Sequence, residues 1–293
     1  VTLQHKSLVM RSLIIKLLTS FFARLERKKK YQSLFGFLYN VSLRGMNLRD
    51  HRPGHNGEDQ LKEALIRYFK AKGNEPVIFL DVGANMGGYA KHLMRLSKSA
   101  DLTFNLHAFE PMKKTFEILT EQFDQVDYEK GNVNLYNFGL GERNEQLPMF
   151  ADHKASPLAS LYLRDMDNLS FHFENVGHVH VRNFAEVWEE LDIAHVNFMK
   201  VDTEGHEVSI LKSIKTKLDS KKVDFIQFEF GTTIESRIFL KDFFDLLHPN
   251  YRIFRILKDG LYEYPVYHPD YEIFVLGNYL AVSRSVKDFT WSK

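Results

Sequence analysis

The sequence predicts an α/β fold, a doubly wound, mostly parallel, Rossmann-like sheet with an N-terminal helical extension. Three observations carry this. Val77–Gly88 reads V-I-F-L-D-V-G-A-N-M-G-G, an apolar run ending on an acid, then a glycine-rich turn. Such a strand, turn and helix form the ligand-binding corner of an open α/β sheet. Leu106–Phe109 reads as the next strand and ends on Glu110 and Pro111, where a carboxylate can accept from both hydroxyls of a ribose. Strand-like and helix-like segments then alternate to the end of the chain, as a doubly wound sheet requires.

Taken in order, residues 1–50 form a basic amphipathic extension. Leu13, Leu17, Phe21 and Leu25 share one helical face, with Ile14 and Leu18 beside them. Arg11 and Lys16 interrupt the run, which argues against both a transmembrane span and a secretory signal. Ten Lys and Arg stand against Glu26 and Asp50 in this stretch, with a block at Arg24 and Arg27–Lys30. Two readings stand: a helical cap on the catalytic domain, or a helix lying on an anionic membrane surface. Residues 51–75 are a linker and lead-in helix, whose apolar positions are Leu61, Leu65, Ile66 and Phe69. Residues 76–285 are the main domain. Strands are expected near 77–81, 105–109, 133–138, 196–201, 223–229, 251–257 and 278–283. Helices are expected near 87–98, 112–123, 183–191, 205–218 and 234–247. The insertion 146–181 reads as irregular cover over the ligand, with His178 and His180 on one face of an edge strand.

Composition is that of a soluble enzyme. Net charge is +1 over 293 residues, so bulk electrostatics give no argument for nucleic acid. There is no cysteine, which excludes disulfides and thiolate metal sites. The chain is expected in the cytoplasm, either free or peripheral at the inner face of the membrane.

The turn itself narrows the ligand. A dinucleotide fingerprint is G-x-G-x-x-G, whereas Gly83, Asn85, Gly87 and Gly88 put an asparagine at its middle glycine. Asp81 at the strand end would repel a pyrophosphate but suits a ligand carrying an ammonium and a sulfonium. S-adenosylmethionine is such a ligand. An NAD- or nucleotide-sugar-dependent enzyme is the competing class, and a non-catalytic interaction module is a third.

Asp81–Gly88, F-E-P at Phe109–Pro111, N-F-G-L-G at Asn137–Gly141 and K-V-D-T-E-G-H-E at Lys200–Glu207 together resemble the FkbM family of S-adenosylmethionine-dependent methyltransferases. The resemblance runs from about Pro76 to Ser283. Thr203 and Ile214 depart from it, where the family more often has an aliphatic residue and a glycine. It implies a class I methyltransferase sheet closed by an antiparallel pair, Arg252–Leu257 with Tyr279–Ser283. It also implies methyl transfer to a hydroxyl, commonly of a sugar, a glycan or a natural product. On that reading Gly83, Ala84, Asn85 and Gly87 line the methionine part of the cofactor, Asp81 accepts from its ammonium or an ordered water, Glu110 holds the ribose and Asn137 lies near the adenine.

A sugar hydroxyl is a weak acid, so transfer needs a base or a metal. Asp202 follows the strand Val196–Val201, and His206 stands four residues on; both are candidate bases. Lys200 is placed to neutralise Asp202 or Glu229. Glu204 and Glu207 are placed to orient a partner or cap the following helix. Asp202 and Glu229, at the tips of neighbouring strands, would suit a Mg²⁺ ion; the metal-free version is preferred.

Overall fold

The computed structural model describes residues 16–49, 54–73, 76–124, 130–153, 155–165 and 171–291. It divides into two units, one up to Met46 and one from Asn47 onward. In the first, residues 16–23 are helical and Gln32–Gly45 forms a second helix. Phe22 and Phe35 join them, ring centroids 5.9 Å apart. Leu13 and Ile14 lie outside the described residues.

The second unit is built on a sheet of eight strands among the described residues. They are β1 (Val77–Val82), β2 (Phe104–Phe109), β3 (Gly131–Tyr136), β7 (Val196–Val201), β8 (Val223–Phe230), β9 (Tyr251–Leu257), β10 (Gly260–Tyr264) and β11 (Gly277–Ser283). Their order is β10-β9-β11-β8-β7-β1-β2-β3. Strands β3, β2, β1, β7 and β8 are mutually parallel. Strand β11 runs against both β8 and β9, giving the expected antiparallel closure. The sequence reading did not include β10. It pairs with β9 across a tight turn at Lys258–Asp259, and Asp-Gly at 259–260 was the available hairpin signal.

Helices cover both faces. On one, α1 (Glu58–Lys72), α2 (Gly88–Ser99) and α3 (Lys113–Phe123) bury Leu61, Leu65, Phe69, Leu93, Leu119 and Phe123 against Phe79, Leu106 and Phe225. On the other, α4 (Phe184–Glu190), α5 (Glu207–Ser213), α6 (Lys215–Asp219) and α7 (Leu240–Leu247) pack Trp188, Ile210, Leu218 and Phe243 against Leu80, Met199 and Phe228. Each face removes a continuous apolar stripe from water, which drives the layering.

Two expected helices are shorter than predicted. The helix expected over 205–218 begins only at Glu207, because Glu204 (φ 55) and Gly205 (φ 111) are left-handed, and it divides at the fully buried Ile214. The helix expected over 234–247 is interrupted by left-handed Arg237 and restarts at Leu240, with Asp242 Oδ2 accepting from Phe239 N at 2.8 Å. Position-specific backbone geometry overrides helical periodicity at both places.

The insertion is more regular than expected. Strands β4 (Gly139–Gly141), β5 (Glu145–Ala151) and β6 (Glu174–Asn183) make a separate three-stranded sheet in the order β4-β6-β5. Strand β6 is central only over Val181–Asn183, where β4 joins it; at His178 and His180 it pairs with β5 alone, the expected edge, and both histidines are exposed. Phe150 and Ser160 bridge, folding residues 155–161 back over the carboxyl ends of the main sheet.

Candidate active site

A cavity of about 420 Å³ opens at the carboxyl ends of β1, β2 and β7, where open α/β sheets bind ligands. The turn after β1 forms its floor. Gly83 (φ 83), Asn85 (φ 50) and Gly87 (φ 83) are all left-handed. Asparagine tolerates that region better than most residues, and Asn85 Oδ1 accepts from Met86 N at 2.8 Å. This explains an asparagine where a dinucleotide site has glycine. Gly83 is irreplaceable on space alone: a Cβ there would lie 1.9 Å from the Asp202 carbonyl oxygen. Gly87 does not line the cavity. It is the N-cap of α2, and a Cβ there would meet Leu119 and Phe123 of α3 at 2.7 and 2.6 Å. Ala84 and Asn85 do line it, as does Gly88.

Glu110 is the next wall. Its Oε2 accepts from Asn85 N at 3.0 Å and its Oε1 from Met112 N at 2.8 Å. Burial pushes its carboxyl up to about 7, against the lowering effect of those two bonds. Asn137, read from the sequence as an adenine neighbour, lies outside the cavity lining. Its side-chain amide donates to the carbonyls of Glu110 (2.9 Å) and Pro111 (3.2 Å) and so braces the turn that presents Glu110. Asp81 is also behind the wall, only 3% exposed, and neither carboxylate oxygen has a hydrogen-bond partner in the protein. Burial raises its pKa, partly offset by Lys200.

At the opposite end lie Lys200, Asp202, Thr203, Glu204 and His206. Lys200 Nζ sits 2.8 Å from Asp202 Oδ2 and 5.0 Å from the centre of the Tyr89 ring. Burial opposes its charge, but Asp202 and Asp81 override it and hold the ammonium on. Lys62 Nζ approaches the same ring to 4.3 Å while pairing with Asp59 at 2.8 Å. Tyr89 Oη donates to Gln227 Oε1 (2.6 Å), and Gln227 Nε2 donates to Glu58 Oε1 (2.6 Å). A polar chain thus runs from the start of α1 beneath the sheet to the Lys200–Asp202 pair.

His206 lines the cavity; its Nε2 is buried beside Gly141 and unpartnered, while Nδ1 lies 3.4 Å from Tyr162 Oη. Burial depresses its pKa, which favours the neutral ring. Gly141 clears room for it; a Cβ there would come 2.9 Å from Nε2. Glu204 carries the strained backbone and pairs with Arg164 at 2.7 Å, with its carbonyl accepting from Ser160 Oγ at 2.7 Å. Burial and Asp202 raise its pKa to about 7 despite Arg164. Glu207 caps the turn, accepting from Thr203 N (2.8 Å) and Gly205 N (3.1 Å). Glu229 lies outside the cavity and borders a smaller pocket with Thr232 and Gly205. Nevertheless, one ligand atom each from Asp202, Glu204 and Glu229 falls within 4.8 Å of the others. Burial and the two neighbouring acids push Glu229 well above the usual carboxylate range.

Arg164, Tyr162, Tyr89 and Lys62 were not singled out from the sequence. Arg164 and Tyr162 reach the site only because residues 155–165 fold back, a long-range event with no local motif. Lys62 had a weak signal, standing three residues after Asp59 on the lead-in helix.

Sheet order, cavity and turn together define a class I methyltransferase. The chain belongs to the FkbM methyltransferase family: the profile described as Methyltransferase FkbM domain matches residues 81–264. It is 27% identical over 178 residues to the hexuronic acid methyltransferase AglP of Haloferax volcanii, a match spanning 60% of this chain and 65% of that protein's length. Among solved structures, it resembles a methyltransferase FkbM from Methylobacillus flagellatus (TM-score 0.42, 16% identity, 70% of this chain and 43% of that one). It also resembles the plantazolicin methyltransferase BpumL in complex with SAH (TM-score 0.38, 11% identity, 97% of this chain and all of that one).

Proposed function

We propose that this protein transfers a methyl group from S-adenosylmethionine to a hydroxyl oxygen of a sugar, in a glycan or glycolipid. The observation that carries the reading is the single cavity running from Glu110, past the left-handed turn, to Asp202 and His206. Its residues fit the cofactor. Each Glu110 oxygen accepts one backbone N–H and keeps a lone pair for a ribose hydroxyl. Met112, Leu140 and Val181 supply apolar walls for a base. Gly83, Ala84 and Asn85 offer backbone to an amino-acid moiety, and Asp81 is an unpartnered buried acid behind them that a cationic ligand would stabilise. Gly87 supports the turn rather than the ligand.

Bound cofactor supplies an activated methyl. The protein orients the acceptor oxygen in line with it and removes the acceptor proton. His206 Nε2 or the Asp202 carboxylate takes that proton, and Lys200 holds Asp202 in place. The sugar class of acceptor is supported by the AglP relative and by the concentration of acids around Asp202.

A second reading has a divalent cation such as Mg²⁺ held by Asp202, Glu204 and Glu229. Their shared approach favours it, and three carboxylates suit a hard ion. Arg164 and Lys200 already neutralise two of them, which supports the metal-free reading. The same proposal puts the chain in the cytoplasm with its N-terminal helices at the inner face of the membrane.

The test is calorimetry of S-adenosylhomocysteine with wild type and Glu110→Ala, and of NAD as a control. Binding weakened about tenfold or more in the variant, from loss of a charge-assisted contact, supports the reading. Binding of NAD instead overturns it. Repeating acceptor turnover with EDTA and then Mg²⁺ separates the two versions of the chemistry.

A further inference from the structure

The helices of the N-terminal unit join through Phe22 and Phe35. Away from that contact, Leu17, Leu18 and Phe21 on the first helix and Leu34, Phe37 and Val41 on the second are all exposed; Phe21 is 60% and Phe37 64% open to solvent. Within each helix these positions fall on one side, at spacings of one, three or four residues. Soluble surfaces rarely leave aromatic and aliphatic side chains grouped this way without a use.

Charge identifies the occupant. Lys16, Arg24 and Arg27–Lys30 put six cations against Glu26 alone, on and between the two helices. A protein partner for the apolar face would not need that block. A bilayer carrying anionic headgroups needs both: acyl chains take the apolar residues and phosphates meet the cations. No helix among the described residues is long and apolar enough to cross a membrane. We infer that residues 16–45 are a lipid-docking helical pair selective for anionic membranes, with Phe21 and Phe37 as its apolar anchors and Lys28–Lys30 as its charge reader. This rests on the membrane location proposed above and gives it a chemistry. Its test does not depend on methyl transfer.

The experiment is vesicle co-sedimentation of the full chain, with phosphatidylcholine alone and with about a third phosphatidylglycerol. Wild type is expected to partition at least tenfold better onto the anionic vesicles and to be released by high salt. Lys28→Glu, Lys29→Glu and Lys30→Glu combined should lower partitioning about a hundredfold or more, from roughly a fivefold loss per headgroup contact. Phe21→Ser with Phe37→Ser should lower it about tenfold or more at unchanged charge. Unchanged S-adenosylhomocysteine binding and circular dichroism show that the variants are folded. Failure of wild type to sediment with anionic vesicles overturns the inference, as does retention of binding by both variants. A wild-type dimer in ultracentrifugation that Phe37→Ser dissociates, without vesicle binding, assigns the face to a second copy and overturns it too.

Discussion

The carbonyl oxygen of Asp202 occupies the space where Gly83 would carry a side chain, 1.9 Å from an ideal Cβ. Two motifs more than a hundred residues apart therefore touch backbone to backbone, and Asp202 N also donates to Val82 O at 3.0 Å. Gly83→Ala is expected to cost several kcal/mol, combining a backbone clash with a left-handed conformation that L-residues resist (of order 1–2 kcal/mol for the latter alone). Urea denaturation should show a large drop in midpoint. An unchanged midpoint would mean that the two turns do not meet as described.

Glu110 links pH to both stability and ligand. Its carboxyl, pushed up to about 7 from an ordinary 4.5, binds a proton more readily folded than unfolded. Its stabilising contribution is thus complete below pH 4.5 and is lost as pH rises through about 7. The stability difference between wild type and Glu110→Gln should narrow or reverse over that range. If the ionised form accepts from the ribose, S-adenosylhomocysteine affinity should rise by up to about tenfold per pH unit below 7 and then level off. Glu110→Gln should flatten that profile.

Asp202→Asn is expected to lower methyl transfer by about a hundredfold or more, the usual scale for a lost general base or its orienting group. On the proposed assignment of Asp202 to the acceptor end, affinity for S-adenosylhomocysteine should change less than about threefold, roughly 0.7 kcal/mol. Equal losses in both measurements would place Asp202 in cofactor binding instead. His206→Gln, compared in the same assay, identifies which of the two takes the proton.

The Arg164–Glu204 pair is almost closed to solvent, with side chains 5% and 14% exposed. Arg164→Met strands a buried acid beside Asp202 and should destabilise by about 3 kcal/mol. Adding Glu204→Gln should recover much of that loss, and the double-mutant cycle measures the coupling. Strict additivity would show that the two side chains do not interact.

The sequence disclosed the part of the site that is local in the chain. Strand, left-handed turn and helix are contiguous, so Asp81–Gly88 could be read as one object, and the acids at 110 and 202 follow recognisable strands. The inner sheet was legible for the same reason: β1, β7 and β8 are mostly apolar and buried almost throughout. Asn137 lies off the cavity lining because its amide turns back onto the Glu110 and Pro111 carbonyls, an orientation that periodicity does not encode. The β5–β6 pair was read as irregular because its strands alternate weakly and are separated by 22 residues. Arg164 and Tyr162 depend on that long-range closure, so they were invisible for the same reason.

Parallel pairing sets Asp81 opposite Lys200 and Val82 opposite Val201. On the proposed assignment, the donor half and the acceptor half of the cavity are carried by adjacent strands, about 4.8 Å apart, in the interior of the eight-stranded sheet. An attempt to retarget this enzyme toward a different acceptor has no slack to exploit there. The adaptable boundary is the wall contributed by Met149 and residues 156–161, where side-chain changes would resize the cavity while β1 and β7 stay in place.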